Sequence, residues 1–434
     1  MKNIINLLFA LAILTSGCKK LIEVDSPKNQ LSKDKVFADT TSAFAALANT
    51  YALFNETIEP SLTRNLSMYT GELAYTNFAA DDLEFSKGRV TPANYSNLNL
   101  WKGLYLAIYQ CNDILEQVPK SVSLSSAATS SLVNEAKFLR AYAYFYLAGL
   151  YGKVPLLLST DVNANRLAFQ NDSLQVYHQI VQDLQDAQHG LPSFNPAGGK
   201  VRAGKWAATA LLARVHAYLG NWTEAEFESS PLIEGKDFSP LDVPELVFKT
   251  GSKEAIFQFY TPKGYVNTST SLLPDPSATV PTNPITDDLY TAFESGDLRK
   301  QQWIGTLGIY HYPSKYKNRL PNTDAPEYLM SLRLAEQYLI RAEARTRTGK
   351  LTGENSAASD LNVIRKRAGL ADTNAQTQKE LLAAIEQERK VELFCEWADR
   401  FLYLKRSGKL PAPRLPIPQN ELTYNHNLVQ NPGY

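Results

Sequence analysis

Side chains that can do chemistry are present in this chain, but few stand at the spacings that chemistry requires. Five histidines, at positions 178, 189, 216, 311 and 426, fit no zinc-ligand spacing, and the His-Glu-x-x-His pair of metalloproteases is missing. No metal or cofactor is therefore expected. The sequence also has no Gly-x-Ser-x-Gly elbow, phosphate-cradling glycine loop or Gly-x-Gly-x-x-Gly turn, so serine-hydrolase and nucleotide-dependent readings fall away. The two carboxylates of a glycosidase need only meet in space, which leaves the loop acids Asp81, Asp82, Glu84, Asp287 and Asp288 as the enzymatic candidates. Acids at such places ordinarily start helices and turns and face water. Glu388, Glu392 and Glu396 share one helical face near Arg389, Arg400, Lys405 and Arg406, a pattern expected to form a structural ion-pair network. What remains is aromatic chemistry. The chain has 23 Tyr, a side chain that is apolar and hydrogen-bonding at once, and the stretch 231–326 concentrates Tyr260, Tyr265, Tyr290, Trp303, Tyr310, Tyr312 and Tyr316 among Pro and polar turn residues.

The elements that must position these groups read as helices. Apolar stripes of helical period run over 32–54, 101–118, 172–191, 203–219, 332–348, 355–367 and 378–403, and 134–150 is apolar almost all round, the mark of a buried helix. The Ala-rich helix 203–219, the turn Gly220-Asn221-Trp222 and the restart through Ala225 resemble a tetratricopeptide hairpin, and a similar unit recurs around Gly349. Two segments interrupt this scaffold of 101–230 and 327–408. They are a Tyr-, Asn- and Ser-rich insertion at 56–100 and the Pro-rich one at 231–326, where proline forbids long helices. An extended tail, 409–434, follows. The 44 basic and 44 acidic side chains cancel, so nothing draws the chain to nucleic acid.

The first residues read as an export signal. Lys2 precedes an apolar run from Ile4 to Leu14 that is too short to span a bilayer, followed by Thr15-Ser16-Gly17-Cys18. Small residues before a cysteine resemble a bacterial lipobox. Residues 1–17 are then a signal peptide, Cys18 an acylated first mature residue, 18–31 an anchor and tether, and 32–434 one domain. Cys111 and Cys395 remain; a disulfide between them is possible in an oxidising compartment, and two buried free thiols are the simpler reading.

Blocks spread over the whole mature chain resemble the SusD/RagB-type nutrient-uptake lipoproteins of the Bacteroidetes outer membrane. They include Trp101-x-x-x-Tyr105-x-x-Ile108-x-x-x-Asn112, the run Glu135 to Ala141, Tyr151-Gly152-x-Val154-Pro155, and Ala210 to Val215. Asp297-x-Arg299, Arg333-Leu334-Ala335-Glu336, Asn362-x-x-Arg365-x-Arg367-Ala368-Gly369, Glu388-Arg389-x-x-Glu392-Leu393 and the close Gln430-Asn431-Pro432-Gly433-Tyr434 follow in order. The resemblance implies an all-α fold of irregular tetratricopeptide-like pairs whose long loop insertions bind ligand. It implies a non-enzymatic, lipid-anchored, outer-membrane protein facing the cell surface. Such a protein binds an oligosaccharide and delivers it to a TonB-dependent SusC-like transporter. A peptide or other nutrient ligand, and a secreted glycosidase, are the alternatives.

A sugar ring offers C–H groups on its face and hydroxyls at its rim, so its site needs aromatic platforms edged by polar groups. Hiding roughly 100 to 150 Å² of apolar surface on one platform yields about 3 to 4 kcal/mol before association costs. On that basis the expected ligand contacts are Trp303, Tyr265, Tyr310 and Tyr312 from the long insertion, with Phe85, Arg89 and Tyr95 from the earlier one. Trp303 is the leading candidate, because a Trp among Gln301, Gln302 and Gly305 is poorly explained by a helix face. On this reading Trp303→Ala lowers affinity and leaves the helical fold intact.

Overall fold

The structure, a computed structural model, describes residues 36–196, 198–238 and 240–434; Cys18 and the expected export signal and tether lie outside the described residues. Ten helices of eight or more residues occur among them. The first six are α1 (Thr40–Leu53), α2 (Tyr95–Gln117), α3 (Ser126–Tyr151), α4 (Ser173–Gly190), α5 (Lys205–Leu219) and α6 (Trp222–Glu234). After a long irregular segment come α7 (Leu334–Arg347), α8 (Ala357–Arg367), α9 (Gln378–Glu392) and α10 (Asp399–Arg406). Each helix packs on its neighbour in a continuous series from α2 to α7, and α7 then carries α8 and α9.

α3 is the centre of the core. Every residue from Phe138 to Tyr151 is buried, as a helix apolar on all sides must be. Its tyrosines are inside because each hydroxyl finds a partner. Tyr142 Oη lies 2.7 Å from Ser331 Oγ, Tyr144 donates to the Leu157 carbonyl at 2.8 Å, and Tyr151 donates to Asn97 Oδ1 at 2.9 Å. Much of the tyrosine surplus is thus core packing with a polar tip satisfied. Polar members of the sequence blocks tie helices together. Arg140 of α3 grips Asp183 of α4 through two bonds of 2.8 and 2.7 Å and reaches Asn112 of α2 at 2.9 Å. Arg214 of α5 holds Glu336 of α7 in the same forked way.

The α5–α6 hairpin turns at Gly220, whose φ of 77° lies in the left-handed region. A methyl group there would meet only Trp222 Nε1, at an ordinary contact distance of 3.9 Å, so its cost is backbone strain. Gly220→Ala is expected to cost about 1 kcal/mol, read as a lowered urea midpoint with unchanged slope.

Three expectations need correction. The fold is predominantly but not purely helical: β1 (Ala255–Phe259) pairs antiparallel with β4 (Leu329–Arg333), and β2 (Ile304–Leu307) with β3 (Tyr310–Pro313). β1 and β4 are buried along their whole length, with Gln258, Ser331 and Arg333 among their apolar residues, so neither shows the alternation that marks a half-exposed strand. α2 starts at Tyr95, six residues before Trp101, because Asn94 caps it by accepting the Asn97 N–H at 3.0 Å. Helical turns also run on from α1 to Tyr69, which shortens the first insertion. Cys111 and Cys395 are both buried and unbridged, and burial pushes each thiol up.

Candidate functional site

The two insertions are stitched into one surface. Ala74 N–H donates to the Pro284 carbonyl at 2.8 Å, Thr76 N–H to Thr282 at 3.1 Å, and Thr286 N–H to Glu72 at 3.1 Å. Ile285 N–H also donates to the His311 carbonyl at 2.8 Å, which ties the β2–β3 hairpin to that strip. A side-chain clamp supplements these bonds. Arg64 Nε donates to Asn283 Oδ1 at 2.7 Å, its two Nη atoms grip Asp82 at 2.9 and 2.7 Å, and its guanidinium lies 5.5 Å from the centre of the Tyr75 ring. In the same segment Phe78 is 86% exposed, and Tyr95, whose backbone N–H reaches Asp81 Oδ1, is 63% exposed. The result is an open face of aromatic rings edged by amides, a carboxylate and a guanidinium, which suits stacking with rim hydrogen bonds.

Deeper anchors fix the long insertion on the helices. Trp303 Nε1 donates to the Pro244 carbonyl, Asn55 Nδ2 reaches the Tyr260 carbonyl, and Thr268 donates to the fully buried Glu59. Burial pushes the Glu59 carboxyl up to about 7 from an ordinary 4.5. The folded protein therefore keeps a proton that the unfolded chain releases across this window. This group's contribution to stability declines as pH rises from 4.5 to 7 and stays low above it. Glu59→Gln, a neutral replacement, should match the parent near pH 4.5 and exceed it at pH 8 by about 3 kcal/mol in urea denaturation. A difference that does not change with pH would sink this assignment.

The expected contact residues do not converge. Trp303 is 1% exposed and Phe85 fully buried, so neither can be a platform; both belong to the main hydrophobic core. Tyr310 and Tyr312 lie half-buried on the hairpin that joins the stitched face, and the Tyr312 ring covers Gly305, its cross-strand partner. Tyr95 lies beside Asp81 at the start of α2. Arg89 is exposed but turned towards Pro411, Pro413 and Tyr434 of the tail, and Tyr265 is half-buried in a separate loop closed by Thr261 and Glu327. Tyr75, Phe78, Arg64 and Asn283 were missed. The one local signal was Asn77-Phe78-Ala79, an aromatic residue with polar and small neighbours and no helical stripe.

The acids are largely engaged. Asp82 holds Arg64, Glu84 accepts the Thr91 N–H at 2.8 Å, and Asp288 pairs with Lys390 at 2.8 Å. The glutamate ladder forms the expected ion network, with different partners: Glu388 meets Arg299 and Arg365, Glu392 meets Arg299, Arg333 and Arg367, and Glu396 meets Arg333 and Lys315. Arg389 and Arg406, its neighbours in sequence, turn instead to Asp399 and Glu343.

Comparison with known proteins agrees with this architecture. Residues 20–219 match a family model described as "Starch-binding associating with outer membrane", and residues 299–412 match one described as "SusD family". A SusD-like protein of Formosa agariphila, P25, is 31% identical over 166 residues, 38% of this chain; the match spans 30% of that relative's own length. The fold superposes on a SusD superfamily protein from Parabacteroides distasonis with a TM-score of 0.79 at 21% identity, covering 93% of this chain and all of that one. A laminarin-binding SusD-like protein superposes with a TM-score of 0.75 at 23% identity, covering 91% and 99% of the two chains.

Proposed function

Because the chain belongs to the SusD/RagB family, we propose that it is a non-enzymatic surface lipoprotein that captures an oligosaccharide and passes it to a TonB-dependent SusC-like transporter. Capture takes place on the face where the two insertions meet. The observation that carries this is an 86% exposed Phe78, two residues beyond the strip that backbone bonds and the Arg64 clamp tie to the second insertion: a large ring left in water beside a rigid, hydrogen-bonded base is a platform awaiting a partner. Arg64, Asp82 and Asn283 already fix the base in place, so little ordering is required when a sugar face settles on the ring. The likeness to a laminarin-binding SusD-like protein makes a glucan-type oligosaccharide the first ligand to try.

Acylation of Cys18 would hold the protein at the membrane, since each buried CH₂ contributes about 0.8 kcal/mol. Among the described residues no helix is long and apolar enough to cross a bilayer.

Calorimetric titration with neutral glucan oligosaccharides and with oligopeptides tests the proposal. Saturable heat with an oligosaccharide recovered intact is the expected result, and Phe78→Ala should weaken it about tenfold, as loss of a central aromatic contact does. Oligosaccharide binding untouched by Phe78→Ala would remove this face from the reading; released product would replace capture with catalysis, and heat with peptides alone would change the ligand class.

A further inference from the structure

A second concavity lies away from the insertion face. It is a cleft of about 450 Å³ between α2, the segment 155–166 and the short tail helix Gln419–Tyr424. That volume is within the range of small-ligand sites. Its walls are stitched in place: Tyr105 donates to the Pro155 carbonyl at 3.0 Å, Asn112 Nδ2 to the Leu157 carbonyl at 3.0 Å, and Asn425 Nδ2 to the Ala168 carbonyl at 2.8 Å. A preformed cleft loses little freedom on binding.

Two aromatic rings open into it, Tyr109 at 36% and Tyr424 at 76% exposure. The rim charges do not cancel. Glu421 is matched, being hydrogen-bonded to Trp101 and beside Lys102. Asp161, close by in sequence, spends its carboxylate on the Asn163 and Ala164 N–H groups. Arg166 is exposed and makes no ion pair among the described residues. A guanidinium in this position presents a fork that fits a carboxylate.

We propose that this cleft is a second ligand site that takes a short acidic oligosaccharide, with sugar rings against Tyr109 and Tyr424 and a uronate carboxylate on Arg166. It goes beyond the capture role assigned to the insertion face and stands or falls separately from it.

The test is calorimetry of the mature protein at low salt with tetragalacturonate, its full methyl ester and tetraglutamate. The acid should bind at least tenfold more tightly than the ester, which has the same rings without the charge. Arg166→Gln should abolish that difference, and Tyr424→Ala, on an exposed tail helix, should weaken both about tenfold. Hydrogen exchange with tetragalacturonate bound should show new protection at 155–168 and 419–428. Equal affinity for acid and ester, no binding of either, or tighter binding of tetraglutamate overturns the proposal. So does protection at 70–95 and 281–312, which would assign the acid to the insertion face.

Discussion

Replacing Arg299 with methionine should remove about 3–5 kcal/mol of folding free energy, the usual cost of breaking a buried ion pair by deleting one partner. Arg299 has no exposed surface and satisfies three acids at once. It reaches Glu388 at 2.5 Å and Glu392 at 2.8 Å through Nη1, and Asp297 through Nε and Nη2 at 3.0 and 2.8 Å. Methionine fills much of the volume and returns none of the charge, so three carboxylates are left buried with fewer cations. Burial raises Glu388 already, with Arg299 as the main opposing influence. Glu392 resists the same burial because Arg367, Arg333 and Arg299 together hold it well below the usual range. The sign with pH follows. A depressed carboxylate contributes stability above about pH 4.5 and loses it as pH falls through its folded value, so the deficit of the variant should be large at pH 7 and shrink towards pH 4. Urea denaturation at the two pH values measures both. A deficit below 1 kcal/mol at pH 7 would show that the network is not what holds the insertion to α9.

Trp303→Ala comes next in size, and its outcome should be the reverse of the sequence-based expectation. The ring is 1% exposed, meets Phe248 edge-on with centroids 5.5 Å apart, and has the Lys315 ammonium 4.9 Å from its centre. Its Nε1 donates to the Pro244 carbonyl at 2.8 Å. Truncation should cost about 3–5 kcal/mol through the lost burial and the cavity left behind, and the orphaned carbonyl adds to it. Native stabilities lie near 5–15 kcal/mol, so a visible unfolded fraction at 37 °C is expected. The protein that remains folded should bind its ligand as before. Trp303→Phe, which keeps a ring and loses the N–H, should fall between the two. If Trp303→Ala lowers affinity with an unchanged urea midpoint, the residue returns to the binding face.

The two misplacements, Trp303 and Phe85, share a cause. Both lie in segments without a periodic stripe, where exposure is set by what lies on top. For Trp303 the cover is Phe248, Pro244 and Phe394, which are 55, 59 and 91 positions away in the chain. The glutamate ladder shows the same boundary from the other side. Glu388 and Glu392, four residues apart on α9, announce a charged face, and that was legible; that α9 ends at Glu392 and leaves Glu396 off the helical face, and the choice of Arg299, Arg333 and Arg367 over the nearer Arg389 and Arg406, were not.

Helical periodicity, the left-handed glycine between α5 and α6, and the all-round apolar character of α3 are properties of ten or twenty consecutive residues. They could be read directly, and with the ordered blocks they were enough for the scaffold and the family. Which aromatic rings face water is a property of contacts such as Arg64 with Asn283, 219 residues apart, and Thr268 with Glu59, 209 apart. Chain closure on that scale leaves no trace in local spacing, because any ring is equally apolar whether the fold covers it or leaves it out. Phe78 was left in water and Trp303 went into the core only through contacts of that range.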